Sequence, residues 1–294
     1  MAKTKNIRKD PLTKLQSIHP DLTGKPLPKN TRALPNELNP CPFCVLAKDA
    51  VDGKAELSDG STTRPLLSKN DYSYATTNRW GLFGIDSTEL IIPYEHLTDL
   101  ETMSEIQIQK HFELTLERYQ ARSKEYSDTT FAFINIGLQS GSSIPHLHSQ
   151  IMNPPINSKN PLHITNKADI SEDIKKSNLN NLTLIQQKNL ITYIPYSPII
   201  AGEVRIAASD LNQAVLALQK TVKAAAAIHP WSYNIVMNFT IKNPFGDQAP
   251  AYLIHFLPRF ELGSLFQIYL RTAIQSVNQE LYHSTLKNNL NNLQ

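Results

Sequence analysis

The periodicity of apolar residues changes several times along the chain, and the same succession of periods occurs twice. In the first half, residues 87–93 (STELIIP) form a short apolar run of strand character. Residues 104–126 then place Ile108, Phe112, Leu116 and Tyr119 at near-helical spacing behind Ser104, a side chain suited to capping a helix. Two further strand-like runs follow, 130–136 (TFAFINI) and 146–152 (HLHSQIM), separated by the small-residue loop 137–145. The second half repeats the order. Residues 203–208 read as a strand, and a Ser209-capped helix carries Leu211, Val215, Leu218 and Val222 on one face. Residues 233–240 and 252–260 read as two more strands. The repeat distance of about 110 residues is too long for a solenoid. The pattern therefore predicts an α+β fold built by internal duplication, each copy an antiparallel sheet packed with a helix.

Outside the two copies the signals are weaker. The first forty residues are rich in proline, which disfavours long helices and predicts an extended arm over the body. Residues 49–63 read as a loop. Residues 157–189 have loop composition with room for one short helix, residues 271–286 read as a final helix, and the Asn-rich end is expected to fray. The division falls near residue 165, giving units 1–165 and 166–294.

Composition narrows the function classes. Hydrophobic residues are 40% and charged residues 19% of the chain, the balance of a folded globular protein. Net charge is only +3, with no dense basic face, so nucleic acid is not the expected partner. No apolar stretch approaches the roughly 18 residues of a membrane helix, and the polar first fourteen residues lack the core of a secretion signal. A cytoplasmic location without membrane association is the expectation.

The two cysteines of the chain form Cys41-Pro42-Phe43-Cys44, a spacing that suits either half of a metal site or a redox pair. Zinc takes four ligands, Cys2His2 among them, so two histidines would have to complete a metal site. His96, just past the first strand, and His146, at the start of the third, are candidates. If residues 146–152 are a strand, His146, His148 and Gln150 share a face, while Leu147 and Ser149 point the other way. Such a face is either a solvated surface or a site. The preceding Gly141-Ser142-Ser143-Ile144-Pro145 is a loop of the kind that can cradle phosphate oxygens.

Ordered pieces of the whole chain resemble the galactose-1-phosphate uridylyltransferase family, in the nucleotidyltransferase branch of the histidine-triad superfamily. They comprise Ile7 to Thr13, Asn39 to Cys44, Glu89 to Pro93 with His96, Asn135-Ile136-Gly137, and Ser140 to Gln150. The second half adds Tyr193 to Ile206, Tyr233 to Met237 and Leu257 to Gly263. The resemblance implies two tandem histidine-triad-like units, the first carrying the site and the second degenerate. It implies zinc on Cys41, Cys44, His96 and His146, and His148 as nucleophile; a metal held two residues from the nucleophile is expected to pin the strand, a structural role. Asn135, Ser143 and Gln150 would hold phosphates. The implied substrates are a nucleotide sugar and either a sugar 1-phosphate or inorganic phosphate, and a homodimer is compatible with the sequence. The alternatives are a phosphorylase of nucleotide sugars or dinucleoside polyphosphates, or a silent nucleotide-binding protein.

Some positions depart from the family pattern. Leu147 and Ser149 stand where proline and glycine are common, but both are expected to face away from the site. Ala251-Tyr252-Leu253 replaces a histidine pair and leaves His255, read as a sheet histidine rather than a ligand. Ser264 and Leu265 stand where galactose-handling members have an acidic residue, and Leu22 and Lys25 where arginines are usual. The nucleotidyl-histidine half-reaction is thus carried by more of the sequence than galactose is. Glu261 reads as a surface carboxylate, and His19, His111, His163, His229 and His283 receive no role.

Overall fold

The doubled pattern of the sequence becomes a doubled strand order. The computed structural model describes residues 7–12, 16–18, 34–79, 88–126, 130–153, 170–229, 232–241, 243–246, 251–260, 272–274 and 277–293. Leu22, Lys25, Glu261, Gly263, Ser264 and Leu265 lie outside them. The chain divides into two compact units, Leu34–Lys159, and Met1–Ala33 together with Asn160–Gln294. The proline-rich arm supplies β1 (Ile7–Lys9) and β2 (Gln16–Ile18), which pair antiparallel within the second of these units.

The unit Leu34–Lys159 contains α1 (Pro42–Val51), β3 (Glu56–Ser58), β4 (Thr63–Lys69), β5 (Ser73–Thr77), β6 (Thr88–Pro93), α2 (Glu105–Tyr126), β7 (Phe131–Ile136) and β8 (Ser149–Met152). Its strands run in the order β3-β4-β5-β6-β8-β7, antiparallel throughout. Residues 49–63 are therefore more structured than their polarity suggests. Leu46, Ala47 and Ala50 of α1 and Leu57 of β3 are buried, and that apolar minority decides the matter. Ser104 caps α2 as predicted. Its Oγ accepts from the Gln107 amide at 3.3 Å while the Gln107 side chain accepts from the Ser104 amide at 2.8 Å, a reciprocal capping box. The two faces of the sheet are covered differently. Glu89 of β6 points toward α2, where Arg118 binds its carboxylate at 2.8 and 2.9 Å. Leu90 and Ile92 point toward α1, joining Phe43, Leu46, Ala50 and Tyr74 in one apolar cluster.

The second unit continues with α3 (Ser171–Leu179), β9 (Thr183–Gln187), β10 (Leu190–Tyr193), β11 (Val204–Ala208), α4 (Leu211–Ile228), β12 (Tyr233–Ile241), β13 (Ala251–Pro258), β14 (Thr272–Ile274) and α5 (Gln279–Asn292). Its strand order β9-β10-β11-β13-β12 repeats β4-β5-β6-β8-β7, with α3 and α4 in the places of α1 and α2. β14 runs parallel to β2, which ties the arm to the end of the chain. Three sequence expectations need correction. The cap of α4 is Asp210, not Ser209, because the Asp210 carboxylate accepts from the Gln213 amide at 2.9 Å. Residues 183–189, read as loop, supply β9 and the turn of the β9–β10 hairpin; β9 buries little, so its pattern is weak. The final helix starts later than predicted, after Asn278 caps it, and runs through the Asn-rich end to Asn292. Tyr282, Leu286 and Leu290, four residues apart, bury one stripe and outweigh the poor helix propensity of asparagine. Among the described residues no helix is long and apolar enough to cross a membrane.

Candidate active site

α1 and β8 bring the predicted residues together within one unit. Cys41 is the N-cap of α1, and Pro42 follows it where a missing N–H costs nothing, so the helix start fixes both thiols. Cys44 lies one turn on. His96 follows β6, and His146 comes from the segment leading into β8, which pairs with β6. The ligand atoms of Cys41, Cys44, His96 and His146 all lie within 4.8 Å of one another. Cys44 Sγ is 3.2 Å from His96 Nδ1, and His146 Nδ1 is 3.6 Å from both sulfurs. Tetrahedral zinc, with its usual bond lengths, would set sulfur and nitrogen about 3.6 Å apart. The spare nitrogen also fits: His146 Nε2 donates to the Pro93 carbonyl at 3.0 Å, which leaves Nδ1 its lone pair. This group could hold a metal ion. Burial, with Cys41 beside it, pushes the Cys44 thiol up to about 11, so a metal would have to displace protons on binding.

His148 does not sit within a hydrogen-bonded strand. The ladder of β8 begins at Ser149, one residue later than the nucleophile candidate and three later than the predicted strand. The predicted alternation of faces nevertheless persists. Phe43 of α1 meets the His148 ring edge-on with centroids 5.1 Å apart, and Gln150 pairs with Leu90, whose side chain lies on that α1 side. Ser149 faces α2. His148 is 6% exposed, and its Nδ1 donates to the His146 carbonyl at 2.8 Å. A carbonyl can only accept, so Nδ1 carries the proton and the lone pair of neutral imidazole is left on Nε2. Burial lowers the pKa of His148, which favours that neutral form.

The other predicted residues lie around this point. Asn135 is half-buried near the end of β7, the neighbour of β8, and shares the strand face of Phe133, which pairs with Gln150. Gly137 and Gly141 take positive φ, +83° and +87°, and frame a short 3₁₀ turn. The amide Nδ2 of Asn135 stands 4.0 Å from where a Cβ on Gly141 would be. Ser143 is exposed in the same loop, and Gln150 is half-buried. In the second unit Ala251 and Leu253 belong to an apolar cluster, and His255 donates from Nδ1 to Glu203 at 2.8 Å.

Two contributors escaped the sequence. Phe43 packs edge-on against both His146 and His148, at 5.7 and 5.1 Å between centroids, and its place inside the Cys pair was the available signal. His111 of α2, wholly buried, contacts Ser149 Oγ at 2.8 Å and Ser73 Oγ at 3.1 Å. A lone histidine on an apolar helix face gave no signal. Burial holds the pKa of His111 down at about 3, so the folded protein keeps this ring neutral while the unfolded chain protonates it below about 6.5. Between those values the unfolded state binds the extra proton, so stability falls as pH falls through that window. The contribution is at most about 1.4 kcal/mol per pH unit. Thermal melts from pH 7 to 5 should show a shallower acid limb in His111→Gln than in the wild type; parallel curves would refute this.

Neither a protein-family model nor a curated protein matches the chain in sequence. Solved structures do match in shape. A GalT-like protein from Arabidopsis thaliana superposes with TM-score 0.67 at 15% identity, over 96% of this chain and 98% of that one. An ADP-glucose phosphorylase from Arabidopsis thaliana, solved with bound ADP-glucose, gives 0.69 at 15% identity over the same shares. A uridylyltransferase gives 0.64 at 18% identity, over 98% and 99%. The chain therefore has, over nearly its whole length, the α+β fold of the GalT-like, ADP-glucose phosphorylase and uridylyltransferase structures.

Proposed function

We propose that the protein is a nucleotidyltransferase that works through a nucleotidyl-histidine on His148, with a nucleotide sugar as donor. One observation carries the reading: the proton of His148 is held on Nδ1 by the His146 carbonyl, which leaves Nε2 as a neutral nucleophile. Nε2 attacks the α-phosphorus, a P–N bond forms, and the P–O bond to the leaving sugar 1-phosphate breaks. An acceptor phosphate, either inorganic or on a second sugar, then attacks the same phosphorus and returns the electron pair to Nε2. Negative charge builds on the phosphoryl oxygens at both steps. Ser143, the loop amides around it, Asn135 and Gln150 are the donors proposed to offset it. The names of two structural relatives, a uridylyltransferase and an ADP-glucose phosphorylase with bound ADP-glucose, support nucleotidyl transfer with a nucleotide sugar.

Cys41, Cys44, His96 and His146 would hold zinc, which when bound supplies a structural clamp two residues from the nucleophile. Phe43 and the Nδ1 bond then fix the ring of His148. Incubation with nucleotide sugars labelled in the α-phosphate should leave acid-labile, base-stable label on the peptide containing His148. Nucleotide that binds but never becomes covalent would instead make the protein a nucleotide sensor. The same preparations should carry one zinc per chain, lost in Cys41→Ser. Metal-free protein that melts at the temperature of the metal-loaded form would refute the clamp.

A further inference from the structure

We propose that His111 is a positioning residue for the reaction assigned to His148, acting through Ser149 at the point where β8 gives way to the His146–His148 segment. This rests on the reading of His148 above. Ser149 is the first residue of β8 to be paired on both sides, opposite Ile91 of β6 and Ile134 of β7. Residue 148 precedes that ladder. The first sheet-anchored side chain after the nucleophile is therefore the serine that His111 grips at 2.8 Å.

The grip spans three strands. Ser73 lies on β5 and Ser149 on β8, with β6 between them, and the His111 ring bonds both hydroxyls across β6. Ser73 pairs with Pro93, whose carbonyl also accepts the bond from His146 Nε2. One short stretch of β6 thus receives both the His111 bridge and the His146 contact. His111, Ser73 and Ser149 are each 0% exposed. Three buried polar side chains are an inefficient way to pack a helix on a sheet, because such hydrogen bonds contribute little net stability over apolar contact. What they add is direction, since a neutral imidazole has one donor and one acceptor and fixes both hydroxyls at defined distances. A nucleophile displaced by 1 Å loses about 100-fold in rate. Ser149 thus has a dedicated partner in His111.

The test uses His111→Leu, Ser149→Ala and His111→Gln, whose amide can keep a bond to Ser149. His111→Leu and Ser149→Ala should each slow labelling of His148 by about 10- to 100-fold with nucleotide affinity unchanged. The double variant should be no slower than the slower single one, and His111→Gln should restore most of the rate. Hydrogen exchange at the amides of residues 147–150 should quicken in His111→Leu while the rest of the unit keeps its protection. Wild-type labelling rates in both single variants, additive losses, or unchanged exchange at those amides would each overturn the proposal. Should the wild type itself never become labelled, the reading of His148 fails, and the exchange measurement still decides whether His111 positions the segment. If His111→Leu does not fold, His111→Gln and Ser149→Ala carry the same comparison.

Discussion

His148→Asn is expected to reduce nucleotidyl transfer by about 10⁴-fold or more, to background, while the fold and the metal content stay as they are. Asparagine is the informative replacement. Its side-chain N–H can still donate to the His146 carbonyl, as Nδ1 does at 2.8 Å in the wild type. What it lacks is the lone pair that histidine presents on Nε2. The variant therefore separates the nucleophile from the scaffold around it. The four candidate ligands do not include residue 148, and the apolar packing of Phe43 against His146 is left in place. Donor nucleotide should bind with nearly its normal affinity, since phosphate contacts are assigned to Ser143, Asn135 and Gln150. Titration calorimetry and labelling read on the same samples would give tight binding with no covalent product. A rate within about tenfold of wild type, equivalent to only about 1.4 kcal/mol of barrier, would mean that His148 is not the attacking group.

How much of this could be seen in the sequence depends on the range of the interactions involved. α2 and α4 were legible because a buried stripe such as Ile108-Phe112 or Val215-Leu218-Val222 leaves a period in the chain itself. Around His148 polar–apolar alternation continues past the last hydrogen-bonded pair at Ser149, so the pattern overstates the strand; alternation reports side-chain direction, and the ladder reports pairing. The β9–β10 hairpin leaves little trace in the sequence because β9 has two exposed glutamines, Gln186 and Gln187, and only Leu184 buried among its five residues. At the site, Cys41 and Cys44 announce themselves locally. Their partners His96 and His146 arrive through the pairing of β6 with β8, which no local spacing encodes. His111 and Ser149 lie still further from view, since each is an unremarkable polar residue until α2 is laid on the sheet. The same holds for Asp10, Asp173, Glu203 and Arg205, which lie far apart in the chain or on different elements and meet only in the folded unit.

Those four residues form a buried charge network in the second unit, and Arg205→Met should destabilise the protein by about 3–5 kcal/mol. Arg205 is 0% exposed, and Asp10, Asp173 and Glu203 are at most 1% exposed. Its guanidinium spans both oxygens of Asp10 at 3.0 Å, reaches Asp173 at 2.7 Å and Glu203 at 2.8 Å. Burial works against the Glu203 carboxylate, but Arg205 beside it and His255 bonded to it keep its pKa below the ordinary value. Burial prevails at Asp173, whose pKa is raised despite Arg205. Removing the guanidinium takes away the cation that all three buried carboxylates share, and leaves Asp173 only the Tyr193 hydroxyl and Glu203 only His255 and the Ile199 amide among the partners described for them. The loss should be largest near neutral pH. In the variant the buried carboxylates would bind protons more readily folded than unfolded, so lowering the pH toward their range returns part of the stability. Arg205→Lys should fall between the two, because a single ammonium cannot span Asp10 and reach Asp173 and Glu203 together. Asp10 follows β1, so the network also fastens the N-terminal arm, and Asp10→Asn should cost much less once Arg205 is already gone. Urea melts of the wild type, Arg205→Met, Arg205→Lys, Asp10→Asn and the Arg205→Met/Asp10→Asn double variant give these differences directly. A midpoint for Arg205→Met equivalent to less than about 1 kcal/mol of loss would show that the carboxylates are relieved in some other way, and that the arm is held by its other contacts, such as the pairing of β2 with β14 and the hydrogen bonds of Arg8 to the Tyr196 carbonyl and Gln279.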